Sequence, residues 1–226
     1  MAWLRKVLAR EKRAKRTATL VMHIPPGVDA YKSLKRTCTG GITTFWHDAN
    51  TRRFLALIGR AKTVLRGSYA GHTHRDNFRV LSGRSGTPFL TTRITPSVSP
   101  VYHNNPAFTV LLYDRTDAIV KDYATFYLVN LAAGGPTVPP AWKLEYTFAK
   151  TYNATDYTPA SIAALARSVR SDASVRQTFR QFYAVEAPSA SIKDDDWMTF
   201  ACAQTAVTRA AYATCRCPSA APKPQK

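Results

Sequence analysis

Two short apolar runs, residues 19–22 and 63–70, each end in a loop that carries histidine. The first opens into His23-Ile24-Pro25-Pro26-Gly27 and the second into Gly71-His72-Thr73-His74. Prolines and glycines break strands and helices alike, so both runs stop there. A stretch with helical periodicity precedes each. Trp3, Leu4, Val7 and Leu8 space out an amphipathic helix over residues 2–15, and Phe54, Leu55, Leu57 and Ile58 supply the apolar side of another over 46–60. The order helix, strand, loop, helix, strand, loop predicts parallel α/β organisation, with both histidine loops at strand ends, where open α/β sheets bind ligands.

Beyond them the pattern changes. Residues 78–81, 89–92, 108–113 and 119–129 are short strand-like runs between Gly, Pro and Asn turns, which predicts an antiparallel or mixed sheet. Ala132-Ala133-Gly134-Gly135-Pro136 and Pro139-Pro140 read as a linker or domain edge. Three helical stretches follow, at 159–170, 173–183 and 194–212. Thr158 is placed to cap the first, with Pro159 in its opening turn, and Asp194, Asp195 and Asp196 suit the positive end of the third. The expected division is 1–135, 136–217 and a Pro/Lys/Ala-rich disordered tail over 218–226. No internal repeat is visible.

Among 226 residues, 45% hydrophobic, there is ample material for a buried core. Thirty-two Lys and Arg against 14 Asp and Glu give a formal charge of +18, which favours anionic partners: phosphoesters, acidic lipid headgroups or nucleic acid. The bias is steepest in the first helix, where Arg5, Lys6, Arg10, Lys12, Arg13, Lys15 and Arg16 face only Glu11. Such a run is ordinarily a solvated face. No apolar run approaches the roughly 20 residues that span a bilayer, and the first residues lack a signal peptide's apolar core. Cys38 stands apart, whereas Cys202, Cys215 and Cys217 cluster. The cluster lacks a fourth nearby zinc ligand, so a disulfide from Cys202 to Cys215 or Cys217, and with it an oxidising compartment, is expected.

Two imidazoles one residue apart, His72 and His74, share a face of an extended loop, and each can ligate a different metal of a close pair; His23 adds a third imidazole at an equivalent strand end. His47 and His103 read as structural or exposed. Phe45, Trp46 and Tyr102 are candidates to line a substrate groove, although aromatics are more often core. There is no Gly-rich phosphate loop, no Ser-His-Asp order and no nucleic-acid module.

His23-Ile24-Pro25-Pro26-Gly27, Gly71-His72-Thr73-His74 with Asp76 and Phe78, Asn105-Pro106 with Phe108, Asp122-Tyr123, the segment 127–131, and Trp197 and Cys202 together resemble the second half of the acid sphingomyelinase branch of the calcineurin-like metallophosphoesterases, including its bacterial-type members. Endopolyphosphatases share the first motif and are the nearest rival. The resemblance implies a partial metallophosphoesterase α/β sandwich, mixed sheets flanked by helices, followed by a helical C-terminal region. It implies that His23 and His72 ligate one metal and His74 the other, usually zinc with other divalent metals tolerated, in an extracellular or periplasmic phosphodiesterase. Its substrate would be a phosphoester such as a phospholipid, with peripheral contact to a membrane surface and no specific nucleic acid. The family's remaining ligands, an Asp-x-His, a bridging Asp and an Asn-His pair, would lie before Met1. Asp29, Asp48 and Asp76 match none of them, so a truncated enzyme with an incomplete site is expected. The competing expectations are a non-catalytic basic anion-binding remnant and a basic nucleic-acid binder.

Overall fold

The computed structural model describes residues 1–34, 41–135 and 137–217. Cys38 and the expected tail, 218–226, lie outside the described residues.

The chain opens with α1 (Ala2–Arg13), β1 (Ala18–Val21), the short α2 (Ala30–Ser33), α3 (Asp48–Arg60) and β2 (Leu65–Ala70). β1 and β2 are parallel, as the alternation of helix and strand predicts, and the histidine loops leave the same end of both. The hairpin β3 (Asn77–Ser82) and β4 (Pro88–Ile94) completes a four-stranded mixed sheet of order β1-β2-β4-β3, in which β4 runs parallel to β2 and antiparallel to β3. β5 (Ala107–Tyr113), β6 (Val120–Leu128) and β7 (Trp142–Thr147) form a separate antiparallel sheet. The Pro- and Gly-rich stretch after residue 131 is thus the connection between two paired strands of one sheet, clasped where Asn130 donates to the Pro139 carbonyl and accepts from the Ala141 N–H.

Two apolar clusters cover the first sheet. In one, Leu8 of α1 and Phe54 and Ile58 of α3 pack with Leu65, Leu81 and Leu90 from the strands. In the other, Phe78 and Val80 of β3 meet the helical C-terminal region: α4 (Phe148–Tyr152), α5 (Pro159–Ser171), α6 (Ala173–Tyr183), α7 (Trp197–Thr205) and α8 (Arg209–Arg216). That second core also takes Tyr123 and Tyr146 from the second sheet, so residues on either side of position 135 are buried together. Mixed sheets flanked by helices are the expected fold class.

α5 and α6 begin where their caps predict. The Thr158 hydroxyl accepts from the Ser161 N–H, and Asp172 accepts from Ser174 and Val175. The expected single helix over 194–212 is instead two. α7 starts behind Asp196 without a side-chain cap, and the chain breaks at 206–208, where Thr208 caps α8. The Asp48 carboxylate reaches across from α3 to accept the Arg209 N–H at 3.1 and 3.2 Å. A carboxylate at the first turn of α8 satisfies a donor that a helix start otherwise leaves open.

The disulfide joins Cys202 of α7 to Cys215 of α8, with Cα atoms 5.7 Å apart, the first of the two expected pairings. No cysteine is free among the described residues. No described helix is long and apolar enough to cross a membrane.

Candidate metal centre

β1 and β2 lie side by side in parallel, so the loops that follow them leave the sheet together. The Gly71 N–H donates to the His23 carbonyl at 3.0 Å, which fixes one loop against the other. As a result His72 Nδ1 and His23 Nε2 stand 3.4 Å apart, with the rings edge to face at 5.2 Å between centroids. Both side chains are exposed.

The backbone that presents them is unusual. Gly71 does not adopt the left-handed conformation that a turn glycine suggests, and a Cβ there would meet His23 only at ordinary contact distance. The positive φ values fall on the histidines themselves, +71° at His72 and +58° at His74. Non-glycine residues held there carry steric strain, which clusters at functional sites. In the other loop the glycine is required. Gly27 has φ +112°, and a Cβ would come within 3.3 Å of Arg79 Nε.

His74 is more enclosed. Its ring packs edge-on to Tyr102 at 4.9 Å, and its Nδ1 is buried with no hydrogen-bond partner among the described residues. Burial first, and then the Arg75 charge, hold its pKa below the ordinary histidine range, against a smaller opposing effect of the Ser99 backbone. Both favour the neutral imidazole that can ligate a metal. Arg75 ties the loop down, donating to the Tyr102 carbonyl at 2.8 Å and to the His74 carbonyl at 3.3 Å.

Of the aromatic candidates, Phe45 packs edge-on against His72 at 5.3 Å and Tyr102 flanks His74, so both border the site. Trp46 turns to Phe54 and donates to the Ile24 carbonyl at 3.2 Å, bracing the first histidine loop. His47 and His103 are exposed.

The carboxylates are engaged elsewhere. Asp29 caps α2, Asp48 accepts from the Arg209 N–H at the start of α8, and Asp76 is buried against Arg93. Asp76 takes both terminal guanidinium nitrogens of Arg93 and the Thr125 hydroxyl at 3.0 Å, while Arg93 lies 4.1 Å over the Tyr123 ring. This network anchors the chain two residues past His74 to both sheets. Nothing local in the sequence reveals it, because Arg93 sits in an ordinary strand pattern.

Two features suit a metal. In a tetrahedral zinc site with Zn–N near 2.05 Å, two ligand nitrogens lie roughly 3.3 Å apart, against 3.4 Å for the His23 and His72 pair. The buried Nδ1 of His74 finds no hydrogen-bond partner among the described residues, which leaves it able to ligate a cation when unprotonated. Among the described residues, however, no three His, Cys, Asp or Glu side chains are grouped closely enough to hold an ion.

Comparison with known proteins follows the same line. Residues 86–219, more than half of the chain, match the family described as acid sphingomyelin phosphodiesterase C-terminal region. Acid sphingomyelinase-like phosphodiesterase 3b of Homo sapiens is 28% identical over 94% of this chain and 47% of its own length. Cyclic GMP-AMP phosphodiesterase SMPDL3A of Mus musculus is 30% identical over 72% of this chain and 36% of its own. Sphingomyelin phosphodiesterase B of Dictyostelium discoideum is 26% identical over 83% and 28%. The chain thus spans about half, or less, of the relatives it matches. Their sources give the expected bacterial branch no support.

Proposed function

We propose, from the premise that the chain belongs to the acid sphingomyelin phosphodiesterase family, that it carries part of the metal site of a metal-dependent phosphodiesterase. In this reading His23 and His72 hold one divalent cation and His74 helps to hold a second. Imidazole donors suit zinc, and iron or manganese remain alternatives. The observation that carries the reading is the 3.4 Å between His72 Nδ1 and His23 Nε2. Bound cations of this kind polarise a phosphoryl oxygen and make water a nucleophile at neutral pH.

The chain's own residues do the rest. The exposed rings of His23 and His72 leave an approach open to a substrate, Phe45 and Tyr102 wall it, and the +18 charge draws an anion toward it. The bridging carboxylate and the remaining ligands come, in this reading, from polypeptide outside these 226 residues. Sphingomyelin and cyclic GMP-AMP, after which relatives are named, share a phosphate esterified twice, so the proposed substrate class is a phosphodiester. The disulfide supports an oxidising compartment, extracellular or periplasmic. A second reading, a non-catalytic anion-binding chain, is favoured by the lack of a three-ligand group among the described residues.

Hydrolysis of bis(p-nitrophenyl) phosphate with added zinc separates the two. The chain alone should run barely above background, and a chimera with a relative's upstream half before Met1 should be active and lose most turnover in His72→Ala. A folded but inactive chimera would favour the second reading. Turnover that survives His72→Ala would remove the histidines from the site.

A further inference from the structure

We propose that Asn104 is a positioning residue for His74, its side chain holding the loop that packs against that ring; its bearing on metal binding rests on the reading of His74 as a ligand. Residues 95–106, which join β4 to β5, contain no helix or strand, yet Asn104 among them is only 2% exposed. A stretch without a ladder must satisfy its backbone polar groups by other means. Here three carbonyls converge on one buried amide. Asn104 Nδ2 lies 2.9 Å from the Ser99 carbonyl oxygen, 3.2 Å from that of Asn105 and 3.4 Å from that of Ser97. The Ser97 carbonyl also accepts from the Ala107 N–H at 3.0 Å, and the Ser97 hydroxyl accepts from the Ser99 N–H at 3.0 Å. The amide therefore closes the start of the loop onto its end.

The clasped loop supplies two groups that meet the His74 ring. Tyr102 packs edge-on to it at 4.9 Å, with the Tyr102 carbonyl held by Arg75 at 2.8 Å, and the Ser99 backbone bears on the imidazole closely enough to oppose the fall in its pKa. Ser99 is also the residue whose carbonyl lies closest to the Asn104 amide. A histidine that ligates a metal depends on the groups that orient its ring, and losing them costs roughly 10–100-fold in metal affinity. The donor end of the amide does this work. Asn104 Oδ1 is buried without a hydrogen-bond partner among the described residues, and a carboxylate of the same shape would set only oxygens against three carbonyl oxygens.

The test is labelling of the metal-free 226-residue protein with diethyl pyrocarbonate, read at each histidine by mass spectrometry. In the parent, half-buried His74 should react more slowly than exposed His47. In Asn104→Asp the His74 rate should rise to that of His47, whose own rate should not change. Asn104→Ser, which keeps one donor, should fall between, and it decides the matter if Asn104→Asp does not fold by circular dichroism. A His74 rate unaltered in a folded variant, or already equal to that of His47 in the parent, would overturn the inference. In the chimera with a relative's upstream half, Asn104→Asp should raise the zinc concentration for half-maximal hydrolysis by about tenfold or more, with turnover regained at saturating zinc. A zinc dependence equal to the parent's would remove Asn104 from support of the metal. If His74→Ala leaves that dependence unaltered, the ligand reading fails, whereas the labelling result still decides whether Asn104 positions the ring.

Discussion

Replacing Asp76 by alanine strips the counter-charge from a guanidinium that has no other ion-pair partner among the described residues. The Arg93 side chain is 1% exposed, and its remaining neighbours are the Thr109 and Thr125 hydroxyls and the Asn77 carbonyl, each at 3.4 Å, and the Tyr123 ring. These are long or weak contacts. An ionised group left buried and unpaired costs about 3–5 kcal/mol. With an m-value of about 2 kcal/mol per molar urea, a loss of about 4 kcal/mol lowers the unfolding midpoint by roughly 2 M. Asp76→Ala should therefore be among the most damaging single changes, although it lies outside the apolar clusters. Adding Arg93→Met should recover part of the loss, because an apolar residue of similar length needs no partner; the cycle of the two should show coupling of about 2 kcal/mol or more. Urea unfolding followed by circular dichroism reads both. A shift below about 1 kcal/mol for Asp76→Ala, or additive effects in the double variant, would refute the reasoning.

Two further predictions follow from buried groups. Burial first, then the charges of Asp76 and Glu186, push the Glu145 carboxyl up to about 9, against smaller opposing effects of the Arg93 charge and the Glu186 backbone. Its ordinary value is 4.5. A raised folded pKa contributes stability that is fully present below about pH 4.5 and is lost as pH climbs toward 9, because only the unfolded chain releases the proton early. Glu145→Gln should remove about 1–3 kcal/mol of that fall between pH 5 and pH 8, a range set below the full shift because the group is not wholly enclosed; parallel pH profiles for variant and parent would contradict it. Opening the Cys202–Cys215 bridge, which closes a loop of 13 residues, should cost about 3 kcal/mol. Unfolding curves that coincide with and without reductant would show that the bridge contributes nothing.

What the sequence made legible was local. The strands before His23 and Gly71 are apolar runs cut off by Pro and Gly, so their ends, and the sharing of one sheet end by the two loops, could be reasoned from spacing. The caps of α5 and α6 lie within three residues of the donors they satisfy. What escaped depends on distant residues. The break between α7 and α8 is fixed by Asp48, 161 positions away from Arg209. β7 follows two prolines, and although Trp142, Leu144 and Tyr146 alternate with Lys143, Glu145 and Thr147, it exposes Trp142 and Leu144, so the alternation does not tell which residues are buried. Arg79 and Arg93 look like outward strand positions, yet both are buried because helices or a second sheet cover them. At the site, the approach of His23 to His72 follows from the parallel order of the strands that carry their loops. The positive φ at His72 and His74, rather than at Gly71, has no signal in the sequence, where the glycine is the residue that such a turn would suggest.

Cobalt titration tests the central claim most directly, because tetrahedral Co²⁺ reports imidazole ligation by its visible absorption and stands in for zinc. The 226-residue protein should bind Co²⁺ weakly but saturably, with absorption lost in His23→Ala and in His72→Ala alike and retained in His47→Ala and His103→Ala. Absorption that persists in either His23→Ala or His72→Ala, or that disappears equally in His47→Ala, would mean that the paired imidazoles do not form a metal site.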